Sequence, residues 1–363
     1  MRLFLSYPSE YDNGEGIHYA RVLRRLQHDV IELNAATTTR GLGIESRVVK
    51  GYSPEISVED LLAEHGKVDL YLYVEPRGLI PRGLESSPIP TACVLSDTHR
   101  NPKARRQIAS LFDHVFVYHR NHVLAYADRD PRTIHWVPYA CDTDVVRDLG
   151  QPRDLDVAFV GRLYTPERQR IIGALAHKYR MNEQKHYPQA TLSNVYSRAK
   201  IVVDLPPGDY IAFRIFEALS CGALVLTKRI KSGLEELLEE GTHYIAFDDE
   251  RELFEKVEFY VRDDEARQRI ALRGYEEVTR NHTLALRIGQ MLEIIRTGPA
   301  GLAPVRQMDK TTALKLYARV YERLGRVETL LRLAAEERPD KSVRAWLLAV
   351  GLKSFARRAV LGW

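Results

Sequence analysis

Short apolar runs recur along this chain with helical segments between them, and that alternation restricts it to a parallel α/β architecture. Leu3–Leu5 is followed by a loop and then by Ile17, Ala20, Leu23 and Leu26 at helical spacing, before a second run at Asp29–Leu33. Further runs stand at Asp69–Val74, Thr91–Leu95, His114–Tyr118 and Ile134–Pro138. A helix is predicted over 102–111, with Asn101 as N-cap and Pro102 in the first helical position. A second series begins at Asp156–Gly161. It continues through a helix over 166–179, Lys200–Asp204, a helix over 213–220, Ala223–Leu226, a helix over 233–240 and Tyr244–Ala246, then long helices to about Arg296. The stretch 142–154, rich in Asp, Arg, Gly and Pro, divides the two series. The expectation is two Rossmann-like domains, 1–148 and 149–297, facing a central cleft, with ligands beyond the carboxyl ends of the strands.

Composition narrows the class. Hydrophobic residues are 45% and charged residues 28% of the 363, which excludes a disordered or fibrous chain. No apolar run approaches the roughly 20 residues that span a bilayer. The first twenty residues lack the basic-then-apolar order of a secretory signal. Cys93, Cys141 and Cys221 are isolated and form neither a disulfide framework nor a CxxC site, so a cytoplasmic location is expected. The net charge of +4 is unevenly placed: residues 301–363 carry an excess of +7, leaving −3 for the rest. A body without a broad cationic footprint argues against nucleic acid as partner.

Gly298–Pro304 reads as a linker, and 306–363 as a basic helical extension. Ala313, Leu316, Tyr317, Val320, Leu324, Val327 and Leu331 form its apolar stripe, while Lys315, Arg319, Arg323 and Arg326 form a basic face. Three readings fit: a returning helix packed on the first domain, a peripheral contact with an anionic membrane, or a partner protein.

The segment DYIAFRIFEALSCG, Asp209–Gly222, carries the most chemistry. Arg214 and Glu217 are three apart and share a helix face. After the strand ALVL come Lys228 and Arg229, then Lys231-Ser232-Gly233-Leu234, a glycine loop between a strand end and a helix start that exposes amides to an anion. Three Asp-x-Asp strings, at 128–130, 142–144 and 154–156, are read as turns or caps rather than metal sites, and no His/Cys cluster has zinc spacing.

FRIFEALSCGALVLT and SGLEELLEEGTHYIAFDD resemble the donor-binding half of GT-B glycosyltransferases of the group 1, family 4 type. HYPQATLSNVYSRAKIVVD, DVAFVGRLYTPER, RNHTLALRIGQML and, earlier, IPTACVLSDTHR, FDHVFVYHRNHV and IHWVPYACD are similar to the branch named after the CgeB spore-maturation protein. The resemblance spans about residues 66–295. It implies a glycosyltransferase using a nucleotide-diphosphate sugar as donor substrate, with no further cofactor, and a hydroxyl on a glycan, lipid-linked or surface-polymer acceptor. Glu217 matches the glutamate that holds the ribose hydroxyls. Asp209 stands where a donor-sugar glutamate is found in retaining members, one methylene shorter. Gly161 with Arg162, and Arg168, match the segment that meets the diphosphate, as do Gly233 and Leu234. At the end of a first-domain strand, Asp97 and His99 are candidates for the acceptor base; Gly14 and Gly16 are candidates for an acceptor or phosphate loop. Two other readings stay open: a sugar-nucleotide epimerase, and a non-catalytic sugar-binding or surface-assembly protein that keeps the fold.

Overall fold

The apolar runs pair as strands in two separate sheets. A computed structural model describes residues 1–7, 15–35, 51–53, 55–75, 78–96, 98, 102–126, 133–183, 187, 189–298, 309–323, 332 and 341–361. Gly14, Asp97, His99, Asn101, Asp128, Asp130, most of the linker after Gly298, and Leu324, Arg326, Val327 and Leu331 lie outside the described residues.

The first sheet holds β1 (Arg2–Ser6), β2 (Asp29–Ala35), β3 (Gly51–Tyr52), β4 (Leu70–Val74), β5 (Thr91–Leu95), β6 (His114–Val117) and β7 (Ile134–Trp136), in the order β3-β2-β1-β4-β5-β6-β7. From β3 to β6 every neighbouring pair is parallel, with Leu5 opposite Leu72 and Val94 opposite Phe116. Its helices include α1 (Glu15–Arg25), α2 (Val58–His65) and α3 (Pro102–Ala109). Both faces of such a sheet are covered, so LYLYV and TACVL are buried throughout rather than alternating.

The second sheet holds β8 (Leu155–Ala158), β9 (Ala199–Asp204), β10 (Leu224–Lys228) and β11 (Ile245–Phe247), ordered β11-β10-β9-β8 and parallel throughout. Around it stand α4 (Pro166–Lys178), α5 (Gln189–Arg198), α6 (Phe213–Ser220), α7 (Glu250–Arg262) and α8 (Asp264–Asn281), followed by α9 (Leu284–Thr297), whose residues to Met291 belong to the same unit. Thr165 caps α4 by accepting from the Arg168 amide at 3.2 Å, with Pro166 at the next position. Asp249 and Asp263 cap α7 and α8 in the same way.

Two compact units result: Met1–Val117 with His122–His135 and Leu292–Trp363, and Tyr118–Asn121 with Trp136–Met291. The stretch 136–148, placed with the first domain by sequence, belongs to the second unit. Tyr139 stacks at 4.1 Å on Tyr118 and 4.0 Å from Phe213, and the Cys141 amide donates to the His282 carbonyl at 3.2 Å. The C-terminal extension packs within the first unit. Its helices α10 (Lys310–Arg323) and α11 (Lys341–Leu361) bury Leu314, Tyr317, Tyr321, Val343 and Leu347 in that unit's core.

The expected helix over 233–240 is only one 3₁₀ turn, Leu234–Glu236. Gly233 precedes it in the left-handed region at φ 91°, and Glu240 bridges backbone to Tyr244 while its carboxylate pairs with Arg229. These contacts draw the chain away from a helical path.

The first unit also contains a pH-sensitive histidine. His135 on β7 stacks on His114 of β6 with centroids 5.6 Å apart, and burial, then the neighbouring His114, lowers its pKa to about 4. The unfolded chain takes up this proton near the ordinary value of about 6.5, the folded chain only near 4, so stability present above 6.5 is lost as pH falls through that window. His135→Phe, facing Phe116 at 5.1 Å, is expected to flatten the fall in melting temperature between those limits; a curve parallel to the wild type would exclude this source.

Candidate functional site

Three neighbouring parallel strands, β8, β9 and β10, end side by side, and the loops that follow them enclose a cavity of about 300 Å³. Thr165, Glu167 and Arg168 form one wall, Leu205–Asp209 another, and Lys228 and Arg229 a third. Pro206 and Pro207 fix the backbone of the middle loop and offer no N–H. Gly208 lets the Tyr210 ring lie close, since a Cβ there would stand 2.4 Å from it and displace it. The cavity is thus a strand-end crevice of the kind that takes ligands in parallel α/β sheets.

Each cation around it has its own arrangement. Arg168 is only 4% exposed; its Nε donates to the Leu205 carbonyl at 2.7 Å and its Nη1 to the Arg162 carbonyl at 3.0 Å. Burial, and then the neighbouring Arg214, lower its pKa. The guanidinium therefore fastens the loops after β8 and β9 to each other. Arg229 lies between Glu240, at 3.2 Å from Nη2, and Asp248, 2.8 Å from Nε, and these two carboxylates raise its pKa. Lys228 meets Glu167 at 3.3 Å, with both side chains largely exposed. Arg162 is exposed and reaches the Tyr164 hydroxyl at 3.2 Å, over its ring.

Next in sequence to the lining residue Leu205, Asp204 ends β9 with its side chain fully buried. It accepts from Arg214 Nη1 at 2.9 Å and from the Thr227 hydroxyl at 3.0 Å. Arg214 also lies over the Phe159 ring. A Cβ at Gly161 would stand 3.2 Å from the Arg214 guanidinium, so the glycine leaves room for that side chain to reach Asp204. Asp204 escaped the sequence reading; its signal was a carboxylate closing the apolar run AKIVVD.

Asp209 accepts from the Lys231 amide at 2.7 Å and so holds the loop that leads to Gly233. In that loop a Cβ at Gly233 would meet Trp136 at 3.0 Å and Arg120 at 3.2 Å, and Arg120 pairs with Glu236 at 2.8 Å. Leu234 is fully buried. The Ser232 hydroxyl is buried with no hydrogen-bond partner among the described residues. Glu217 stands on the second turn of α6, half-buried, outside the lining of the cavity. Burial first and its charge next raise the pKa of the buried Cys141 thiol and Tyr196 hydroxyl. Ala212, at the N-cap of α6, supplies no capping side chain.

In the first unit Gly16 opens α1 against Tyr7, where a Cβ would lie 2.2 Å from the Tyr7 Cβ, so the glycine permits that close approach. At the end of β5, Thr98 is hydrogen-bonded to the His122 imidazole, a pairing that sequence spacing did not suggest. Of the Asp-x-Asp strings, Asp154 pairs with Arg198 and Asp156 with Lys200. Among the described residues no cluster of three His, Cys, Asp or Glu side chains is placed to hold a metal ion.

Residues 146–293 match the family model described as "Glycosyl transferase-like". A search of curated proteins returns no match. Among solved structures, HepE from Anabaena in complex with UDP and glucose is similar with a TM-score of 0.60 at 14% identity, over 82% of this chain and 99% of that one. Sucrose-phosphate synthase from Thermosynechococcus elongatus is similar with a TM-score of 0.56 at 14% identity, over 82% and 100%. A glycosyltransferase from Rickettsia africae gives 0.56 at 12%, over 81% and 97%. Residues 146–293 are thus similar to a glycosyl transferase-like family, and the chain has the fold of solved GT-B glycosyltransferases.

Proposed function

We propose that the protein transfers a sugar from a nucleotide-diphosphate sugar to a hydroxyl of a glycan, lipid-linked or surface-polymer acceptor, as a CgeB-like enzyme of polysaccharide biosynthesis at the cytoplasmic side of a membrane. The observation that carries this reading is the cavity at the ends of β8, β9 and β10, in the domain that matches the family model. HepE and two glucosyltransferases of similar fold, an alpha- and a beta-glucosyltransferase, have been solved with UDP or UDP-glucose, which makes UDP-glucose the first donor to test.

In this reading the diphosphate enters the cavity beside Lys228. Arg168 and Arg229 contribute field rather than direct contact, because carbonyls and carboxylates already hold them. Lys228 differs: an exposed pair with Glu167 contributes at most about 1 kcal/mol, so phosphate oxygens displace the carboxylate at small cost. Gly233, Leu234 and the Ser232 hydroxyl supply donors on the other side of the loop, and a buried hydroxyl without a partner gains by meeting an oxyanion. Asp209 positions that loop through the Lys231 amide and lies on the cavity wall, within the space a donor sugar would take. Glu217 takes the ribose hydroxyls. In the reaction the bond from the sugar carbon to the diphosphate oxygen breaks and a bond to the acceptor oxygen forms. The acceptor proton passes to a base, for which Asp97 and His99 are the candidates, and the charge that grows on the departing diphosphate is the one the cations offset.

Calorimetry with UDP-glucose tests the binding step, and product analysis over an acceptor panel tests transfer. Lys228→Ala is expected to weaken UDP binding about tenfold, the size of one charge-assisted contact less its Glu167 competitor, with the melting temperature unchanged. Equal affinity of variant and wild type would remove Lys228 from the donor site; absence of binding by any nucleotide sugar would sink the proposal itself.

A further inference from the structure

The transfer site leaves the basic C-terminal helices unused. Their inner face is committed to the first unit's own core. Tyr317 donates to Glu85 at 2.7 Å, Tyr321 to the Ile80 carbonyl at 3.2 Å, and Val343 and Leu347 are buried beneath α11. Trp346 is half-buried, with the Arg319 guanidinium 5.9 Å from its ring.

The outer face is different. On α11, Lys341, Arg344, Ala345, Leu348 and Leu352 are all exposed, and their spacings of three and four place them on one stripe. Leu348 is 39% and Leu352 63% exposed, so the stripe is apolar at its far end and cationic at its near end. Lys315 and Arg319 are exposed on α10. The whole of α11 carries Lys341, Arg344, Lys353, Arg357 and Arg358, and no acidic residue. Its 21 residues extend about 32 Å.

We propose that this outer face docks on an anionic lipid bilayer, with α11 lying in the interface: Leu348 and Leu352 enter the acyl boundary while Lys341 and Arg344 meet the headgroups. Charge selects an anionic partner, and the leucines select among anionic partners. Two exposed leucines beside the cations are wasted on a nucleic-acid backbone, which offers no apolar depth, whereas an interfacial helix uses both at once. No helix among the described residues is long and apolar enough to cross a membrane, which makes the contact a surface one. The inference does not rest on the transfer reaction, and its test needs no donor or acceptor.

Sedimentation of the full chain with vesicles of phosphatidylcholine alone, and of phosphatidylcholine mixed with phosphatidylglycerol, measures the contact. Binding to the mixed vesicles and much weaker binding to the neutral ones is expected, falling as salt is raised. A cation near such a surface strengthens binding about fivefold, so Lys341→Gln with Arg344→Gln lowers the partition about 25-fold. Leu348→Ser with Leu352→Ser, a second and independent pair, lowers it about tenfold or more. All four side chains are exposed, so both variants should melt with the wild type. Equal binding to the two vesicle types overturns the proposal, as does sedimentation that neither pair of substitutions reduces. A chain that ignores vesicles but binds duplex DNA, or self-associates, through these same residues overturns it equally.

Discussion

Asp204→Ala is expected to destabilise the second unit by about 3–5 kcal/mol, the cost of leaving one member of a buried ion pair without its partner. The carboxylate is fully buried at the end of β9, and it satisfies both Arg214 and the Thr227 hydroxyl. Removing it strands a guanidinium whose side chain is only 19% exposed, packed over Phe159 and against Gly161. The Thr227 hydroxyl loses this acceptor too but keeps the Lys228 carbonyl, 3.1 Å away, so the stranded guanidinium carries most of the cost. Asp204→Asn keeps the shape and one acceptor oxygen, so it should fall between the two. Urea unfolding followed by circular dichroism reads the effect as a lower midpoint at constant slope. A loss below about 1 kcal/mol for the alanine variant would mean that Arg214 finds solvent or another acceptor, and that the end of β9 is not held by this pair.

Much of the scaffold was legible because parallel strands buried on both faces are written as unbroken apolar runs; LYLYV, TACVL and KIVVD need no partner to be recognised. Elements without that signature were missed. Strand β3 is two residues long, and α2 is announced only by the capping box of Ser57 and Asp60, with an aspartate where Glu or Gln is usual. In the site, the glycine loop and the FEALSCG helix were visible as local patterns. What each charge does was not. Arg168 is held by a carbonyl 37 residues away, Arg214 by a carboxylate that precedes it by 10, and Arg229 by two acids from the far side of the loop. Basic residues near a strand end look alike in one dimension; only tertiary contacts separate Lys228, in a weak exposed pair, from Arg168, fixed in the wall. The unit boundary was hidden for the same reason. Aromatic packing of Tyr118 and Tyr139 on Phe213 pulls two segments of the first series into the second unit, and no composition shift marks that contact.

Glu217→Ala is expected to weaken UDP-glucose binding about 30- to 150-fold, or about 2–3 kcal/mol, the range for hydrogen bonds from two hydroxyls to one carboxylate. Its position gives the test a clean control. The side chain is half-buried on α6 and outside the cavity lining, and alanine is a good helix former, so the fold should tolerate the change. A structural carboxylate and a ribose-binding one then part company on the ligand. If Glu217 holds the ribose, the loss is the same for UDP and UDP-glucose and disappears with a 2′,3′-dideoxy analogue, which the wild type already binds weakly. If it only sets the local field, its absence lets the Cys141 thiol and the Tyr196 hydroxyl ionise more easily while nucleotide affinity stays level. Glu217→Gln separates charge from shape, since the amide can still accept from one hydroxyl and should recover part of the loss. An alanine variant that discriminates against the dideoxy analogue as strongly as the wild type would show that another group meets the ribose, and the place to look would be the Gly233 loop.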